Sequence, residues 1–196
     1  MFTRFSLSAD TREVADRFSI DKVLVGYSKG DLQPSQPIPV LYAHQGETCL
    51  DMLTWGLFPC WAKDSINAAS ETIHEKRGYK RNLTKWRCVI PTEAFYSELQ
   101  EGKVTKTVEF KFPDHKVFGV AGLYDVWDFP DGSKYRTCTV LTTASNRVVS
   151  EYSERMPVIL DEASVQRWLD PTVTEMDDLL PLLRAYETEP ISATVH

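Results

Sequence analysis

Short runs rich in apolar and β-branched residues, set between turn signals, recur along most of this chain, the pattern of strands rather than of helices. Residues 22–27, 38–43 and 48–57 read as strands, the last two joined as a hairpin across Gln45-Gly46. Further strand patterns cover 86–90, 94–99, 106–112, 117–127 and 135–143, punctuated by Glu101-Gly102, Pro113-Asp114 and Pro130-Asp131-Gly132 turns. Pro34 and Pro37 lack the N–H that a sheet requires, which predicts a rigid extended link over 33–37.

Helical spacing is confined to short stretches. Asp10 with Glu13 three residues on forms a capping-box pattern, and Val14 and Phe18 share one face, which predicts a helix over 11–18. A second helix is expected over 161–169, stopped by Asp170-Pro171, and a third opens at Thr174 with Asp177 and breaks near Pro181. Residues 190–195 can return as a last strand. Between Pro59 and Lys85 the strand pattern lapses into polar residues with weak helical character, and so long a loop is expected to be functional. The sum is a single α+β domain over 1–196, with a highly curved, barrel-like, mainly antiparallel sheet and a few peripheral helices.

A chain of 196 residues with 42% hydrophobic residues can bury one sizeable core. Cys49, Cys60, Cys88 and Cys138 stand apart, without the spacing of a zinc site or a disulfide framework, so reduced thiols and no metal or other cofactor are expected. Charged residues at Arg4, Asp10, Arg12 and Glu13 leave no apolar leader, and no run has the length of a membrane span. The expectation is therefore a cytoplasmic protein with no membrane partner.

Net charge is −6, but it is unevenly spread. Residues 63–87 carry Lys63, Lys76, Arg77, Lys80, Arg81, Lys85 and Arg87 against Asp64, Glu71 and Glu75, whereas 161–190 are strongly acidic. A local basic face on an acidic body fits nucleic acid held in one groove, or simply a solvated surface. Trp55 and Trp61 flank a proline turn beside that cluster, and Arg155 precedes an apolar strand end. Rings beside cations are what single-stranded nucleic acid requires, since bases stack and phosphates pair; core packing is the competing role for the tryptophans. Nothing else marks chemistry: His44, His74, His115 and His196 have no Ser or Cys motif around them, and there is no phosphate-binding glycine loop.

Several separated motifs nevertheless occur in one order: Arg4-Phe5, Pro34-Ser35-Gln36, Trp55-Gly56-Leu57, Trp61-Ala62-Lys63-Asp64, Asn67-Ala68 with Glu71-Thr72, and Arg87-Cys88-Val89-Ile90-Pro91. Phe95-Tyr96, Ala121-Gly122-Leu123, Leu141-Thr142-Thr143-Ala144 and Arg155-Met156-Pro157 continue it. Over nearly its whole length the chain resembles the SRAP family, the SOS-response-associated peptidases that process abasic sites. That resemblance implies capture of abasic sites in single-stranded DNA during the DNA-damage response. A cysteine exposed by removal of the initiator Met forms a Schiff base through its α-amine, and its thiol closes a thiazolidine crosslink. An Asn positions the N-terminal residue, while a Glu and a His handle proton transfer, crosslink reversal and self-cleavage.

Carried onto this chain, the cysteine position holds Phe2, the glutamate falls on Ser97 and the histidine on Ser153; Asn67 alone is retained. Glu98 follows Ser97 but points to the opposite face of a strand. Ala69 stands where an Arg usually follows the Asn-Ala pair. The expectation is a catalytically inactive relative that binds single-stranded or abasic DNA through Arg4, Trp55, Trp61, Lys63, Asn67 and Arg155, associated with the nucleoid if so. Alternatives are a thiol-independent Schiff-base lyase or peptidase-like enzyme using the Met1 amine, and an interaction protein using the acidic C-terminal third. The reactive end of the groove is expected to be filled by Phe2 and lined by the two serines.

Overall fold

The computed structural model describes residues 2, 4–58, 65–114, 116–188 and 190–196. The turn-bounded runs form strands β1 (Phe5–Leu7), β2 (Lys22–Val23), β3 (Gly30–Leu32), β4 (Pro37–His44), β5 (Glu47–Trp55) and β6 (Asn67–Ala69). They continue as β7 (Arg87–Thr92), β8 (Ala94–Glu101), β9 (Val104–Lys111), β10 (Phe118–Asp128), β11 (Lys134–Ala144), β12 (Arg155–Pro157), β13 (Ile159–Leu160) and β14 (Ser192–Val195). Short helices α1 (Thr11–Phe18), α2 (Ser70–Ile73), α3 (Lys80–Lys85), α4 (Glu162–Leu169) and α5 (Met176–Leu179) lie around them.

Strands β5, β4, β7, β10 and β11 pair in that order, and β11 also pairs with β5 in parallel through Thr137 and Cys138, so the sheet closes into a barrel. Closure leaves these central strands no free edge on which another chain could pair. Inside it, Gly122 is required by space: a Cβ there would come within 2.6 Å of Ile90 and 2.8 Å of the Thr139 carbonyl. A second sheet, ordered β14-β9-β8-β1-β3, packs its inner face into the same hydrophobic core, with Phe5, Phe95 and Phe110 wholly buried.

Sequence and structure agree on most elements. The Asp10 carboxylate accepts from the Arg12 and Glu13 amides while Glu13 accepts from the Asp10 amide, closing the capping box of α1. The β4–β5 hairpin turns at Gln45-Gly46, both at positive φ, the primed geometry that suits the twist of the flanking strands. Two expectations need correction. The strand over 22–27 is only Lys22–Val23, because beyond Leu24 the chain leaves β5. The polar stretch before Lys85 is not one long loop: Asn67–Ala69 pairs in parallel with β11, and α2 and α3 follow.

Candidate functional site

Position 2 is the bottom of the site. Phe2 is wholly buried, its ring set edge-on to Phe95 at 5.2 Å between centroids. Phe95 stacks on Phe110 at 4.9 Å, and Phe110 meets Tyr152 at 5.9 Å, so an apolar column runs from the N-terminus across the second sheet. Burying a phenyl side chain in this way is worth about 1.5–3 kcal/mol. Phe2 is held as a core residue.

Asn67 fixes the backbone there. Its Nδ2 donates to the Phe2 carbonyl at 2.6 Å, and the side chain is buried. What places Asn67 is Trp55, whose indole N–H donates to the Ile66 carbonyl at 2.8 Å, together with the Val140 amide bonded to that same carbonyl. Trp55 is wholly buried and packs on Phe5 at 5.1 Å. The expectation that it contacts DNA is therefore corrected: no face of the indole is open to a base, because the ring is spent on the core and on fixing Ile66.

Ser97 lies on the inner face of β8, in register with Val108, and is buried; Glu98 is exposed on the opposite face. Ser153 is turned onto its own loop: its Oγ donates to the Arg155 carbonyl at 2.9 Å. The two serines are not hydrogen-bonded to one another. A neutral hydroxyl neither gains nor loses a proton near neutral pH, so neither serves as a tuned acid or base.

Two cations border this region, both engaged. The Arg4 guanidinium lies 4.1 Å over the Tyr96 ring and 3.7 Å from Asp31. Beside it opens a cleft of about 390 Å³ lined by Arg4, Gln33, Pro34, Tyr96, Ser97 and their neighbours. Arg155 donates to the Thr142 carbonyl at 2.6 Å and to Glu71 at 2.7 and 3.3 Å. Glu71 also accepts from the Ala144 amide at 3.0 Å. Partial burial raises the Glu71 pKa, but the hydrogen bonds from Arg155 and from backbone amides outweigh it and hold the carboxyl below its usual value. Both arginine side chains stay 36% exposed, which leaves part of each guanidinium open to solvent.

Trp61 and Lys63 lie outside the described residues, as do Met1, Cys60 and His115. Cys49, Cys88 and Cys138 are buried and free, and burial pushes the Cys88 thiol well above its usual pKa, so these are inert core groups. Arg87, counted with the basic face, is in fact buried, where Nε and both terminal nitrogens donate to the carbonyls of Leu83, Thr84, Trp168 and Asp170. Its motif position before an apolar strand was the available signal for that structural role. No group of three or more His, Cys, Asp or Glu side chains among the described residues is arranged to hold a metal. Nor is any helix among them long and apolar enough to cross a membrane.

Comparison with known proteins agrees with this architecture. A protein from Bacteroides thetaiotaomicron has the same fold at a TM-score of 0.84 and 24% identity, covering 98% of this chain and 91% of its own. A Bordetella bronchiseptica protein superposes at 0.82 with 21% identity over 99% of both chains. In sequence, the abasic site processing protein YoqW of Bacillus subtilis is 34% identical over 203 residues, spanning 98% of this chain and 91% of that protein. The abasic site processing protein HMCES of Xenopus tropicalis is 28% identical over 214 residues, which cover 90% of this chain and 64% of the longer relative. The family model for SOS response associated peptidase (SRAP) matches residues 1–195, and this chain belongs to that family.

Proposed function

We propose that this protein is an SRAP-family DNA-binding protein that holds single-stranded DNA, abasic sites included, without forming a covalent crosslink. The observation that carries the reading is Phe2, wholly buried against Phe95 with its carbonyl held by Asn67. Thiazolidine formation needs an N-terminal amine to condense with the sugar aldehyde, losing water, and a thiol sulfur to add to the resulting imine. A phenyl ring has no nucleophilic atom to supply the second step.

Proton transfer is affected in the same direction. Ser97 and Ser153 stand where the family resemblance places an acid–base Glu and His, and a serine hydroxyl does not change charge near neutral pH. What supports retained DNA contact is the frame around position 2: Asn67 set on β6, the cleft beside Arg4 and Tyr96, and the partly open guanidinium of Arg155. Lys63 and Trp61 complete the proposed contact set from the sequence.

Titration of a fluorescent single-stranded oligonucleotide at several salt concentrations tests this. The expected result is binding whose logarithm falls with log salt by about 0.7 for each phosphate contacted. Arg4→Glu is expected to weaken it. Absence of binding at low salt, or equal binding by the variant, would reject the reading.

A further inference from the structure

A separate pocket lies two rings away from Phe2. Phe95, against which Phe2 packs, meets Phe118 edge-on at 6.5 Å, and Phe118 is one wall of a cavity of about 200 Å³ between α1, α4 and the start of β10. Its floor is apolar: Phe18, Phe112, Phe118, Leu160, Val165 and Tyr186 line it, and none is more than 9% exposed. Phe112 crosses Phe118 at 83° and 5.0 Å and Tyr186 at 78° and 5.4 Å, the edge-to-face arrangement that aromatic rings prefer.

These walls are fixed by the fold. Gly119 pairs with Leu160 where β10 meets β13, and a Cβ at Gly119 would come within 2.7 Å of Val89 and 3.0 Å of Val165, so β10 and α4 lie as close as a glycine permits. The buried Asn146 Nδ2 donates to the Tyr186 carbonyl at 2.9 Å and holds that ring in place.

Among the described residues, the lining side chains that reach solvent are all charged, two of each sign, and each has a partner. Arg17 donates to the Val117 carbonyl at 3.3 Å and to Glu162 at 3.0 Å, which joins α1 to α4 at the rim. Lys116 lies 3.8 Å from Asp114 and 5.0 Å from the Phe112 ring centre, while Asp161 accepts from the Ser164 amide at 2.8 Å as the cap of α4. A balanced, paired rim above a carbon-lined floor gives an ion nothing to replace its water. It suits an uncharged molecule that gains by leaving water.

We infer that this pocket binds a small uncharged aromatic molecule, of one ring or two fused rings. An apolar cavity of about 150 Å³ takes up benzene, and this one is larger. Binding here uses none of the residues around Arg4 and requires no nucleic acid.

Toluene is the probe, with benzoate and benzylammonium as charged molecules of similar size. Thermal unfolding followed by circular dichroism is expected to show a midpoint that rises with toluene concentration. Benzoate and benzylammonium are expected to bind at least about tenfold more weakly, since each would have to bury its charge. Intermolecular nuclear Overhauser effects from toluene are expected at the methyls of Leu160 and Val165 in the wild-type protein. Val165→Trp places a ring in the cavity itself and is expected to abolish binding, whereas Arg4→Glu is expected to leave it unchanged. Because the Overhauser effects are read on wild type, they decide the matter even where Val165→Trp does not fold. The inference is overturned if toluene leaves the midpoint unmoved, if the Overhauser effects are absent or arise at other methyls, if a folded Val165→Trp protein binds as wild type does, or if either charged molecule binds as tightly as toluene.

Discussion

At position 2, one side chain serves two purposes that exclude each other. A small thiol on a free N-terminal residue can react; a phenyl ring buried against Phe95 can only pack. Packing makes a measurable demand. Phe2→Ala leaves a void at the head of the column formed by Phe95, Phe110 and Tyr152, and is expected to cost about 3–5 kcal/mol in urea unfolding. A loss under about 1 kcal/mol would mean that the N-terminus is a loosely attached strand end. Sequence identified Phe2, Ser97 and Ser153 as departures through motif order alone, since each lies at a fixed place in a recognisable string. It could not show that Trp55 is core: an indole beside Arg and Lys reads equally as a stacking platform, and only the Ile66 carbonyl at its N–H decides.

Among the elements, β12 is tied to the start of α2 and to β11 by a single guanidinium. Arg155 bonds Thr142 and Glu71 at once, so it closes the loop 145–154 that carries Ser153. Because these bonds hold the Glu71 carboxyl below its ordinary value of 4.5, the folded state binds its proton less readily than the unfolded chain. The stabilisation is complete above that ordinary value and is lost as pH falls through the lower folded value. Urea midpoints measured from pH 7 downward should therefore drop more steeply for wild type than for Arg155→Met below about pH 4.5, closing the gap between them. A gap that stays constant with pH would show that the arginine acts through packing alone.

The elements that sequence missed are short and polar for a reason. Asn67–Ala69 joins β11 in parallel, and three residues with one polar side chain turned inward show no alternation to detect. The long strands β4, β10 and β11, by contrast, carry five to seven consecutive buried residues, continuous runs rich in apolar and β-branched side chains that stand out in the sequence. The α1 helix was readable from its cap because Asp10 and Glu13 act locally.

For the whole molecule, barrel closure holds the frame around position 2. Asn67 and Arg155 sit on β6 and β12, which are fixed by backbone pairing with β11. The most direct measurement of the central claim incubates the protein with an abasic single-stranded oligonucleotide and runs the mixture on native and denaturing gels. A shifted band on the native gel and none on the denaturing gel is predicted for wild type, with a denaturation-resistant band appearing once Phe2→Cys, Ser97→Glu and Ser153→His are combined. A covalent band from the wild-type chain would contradict the account.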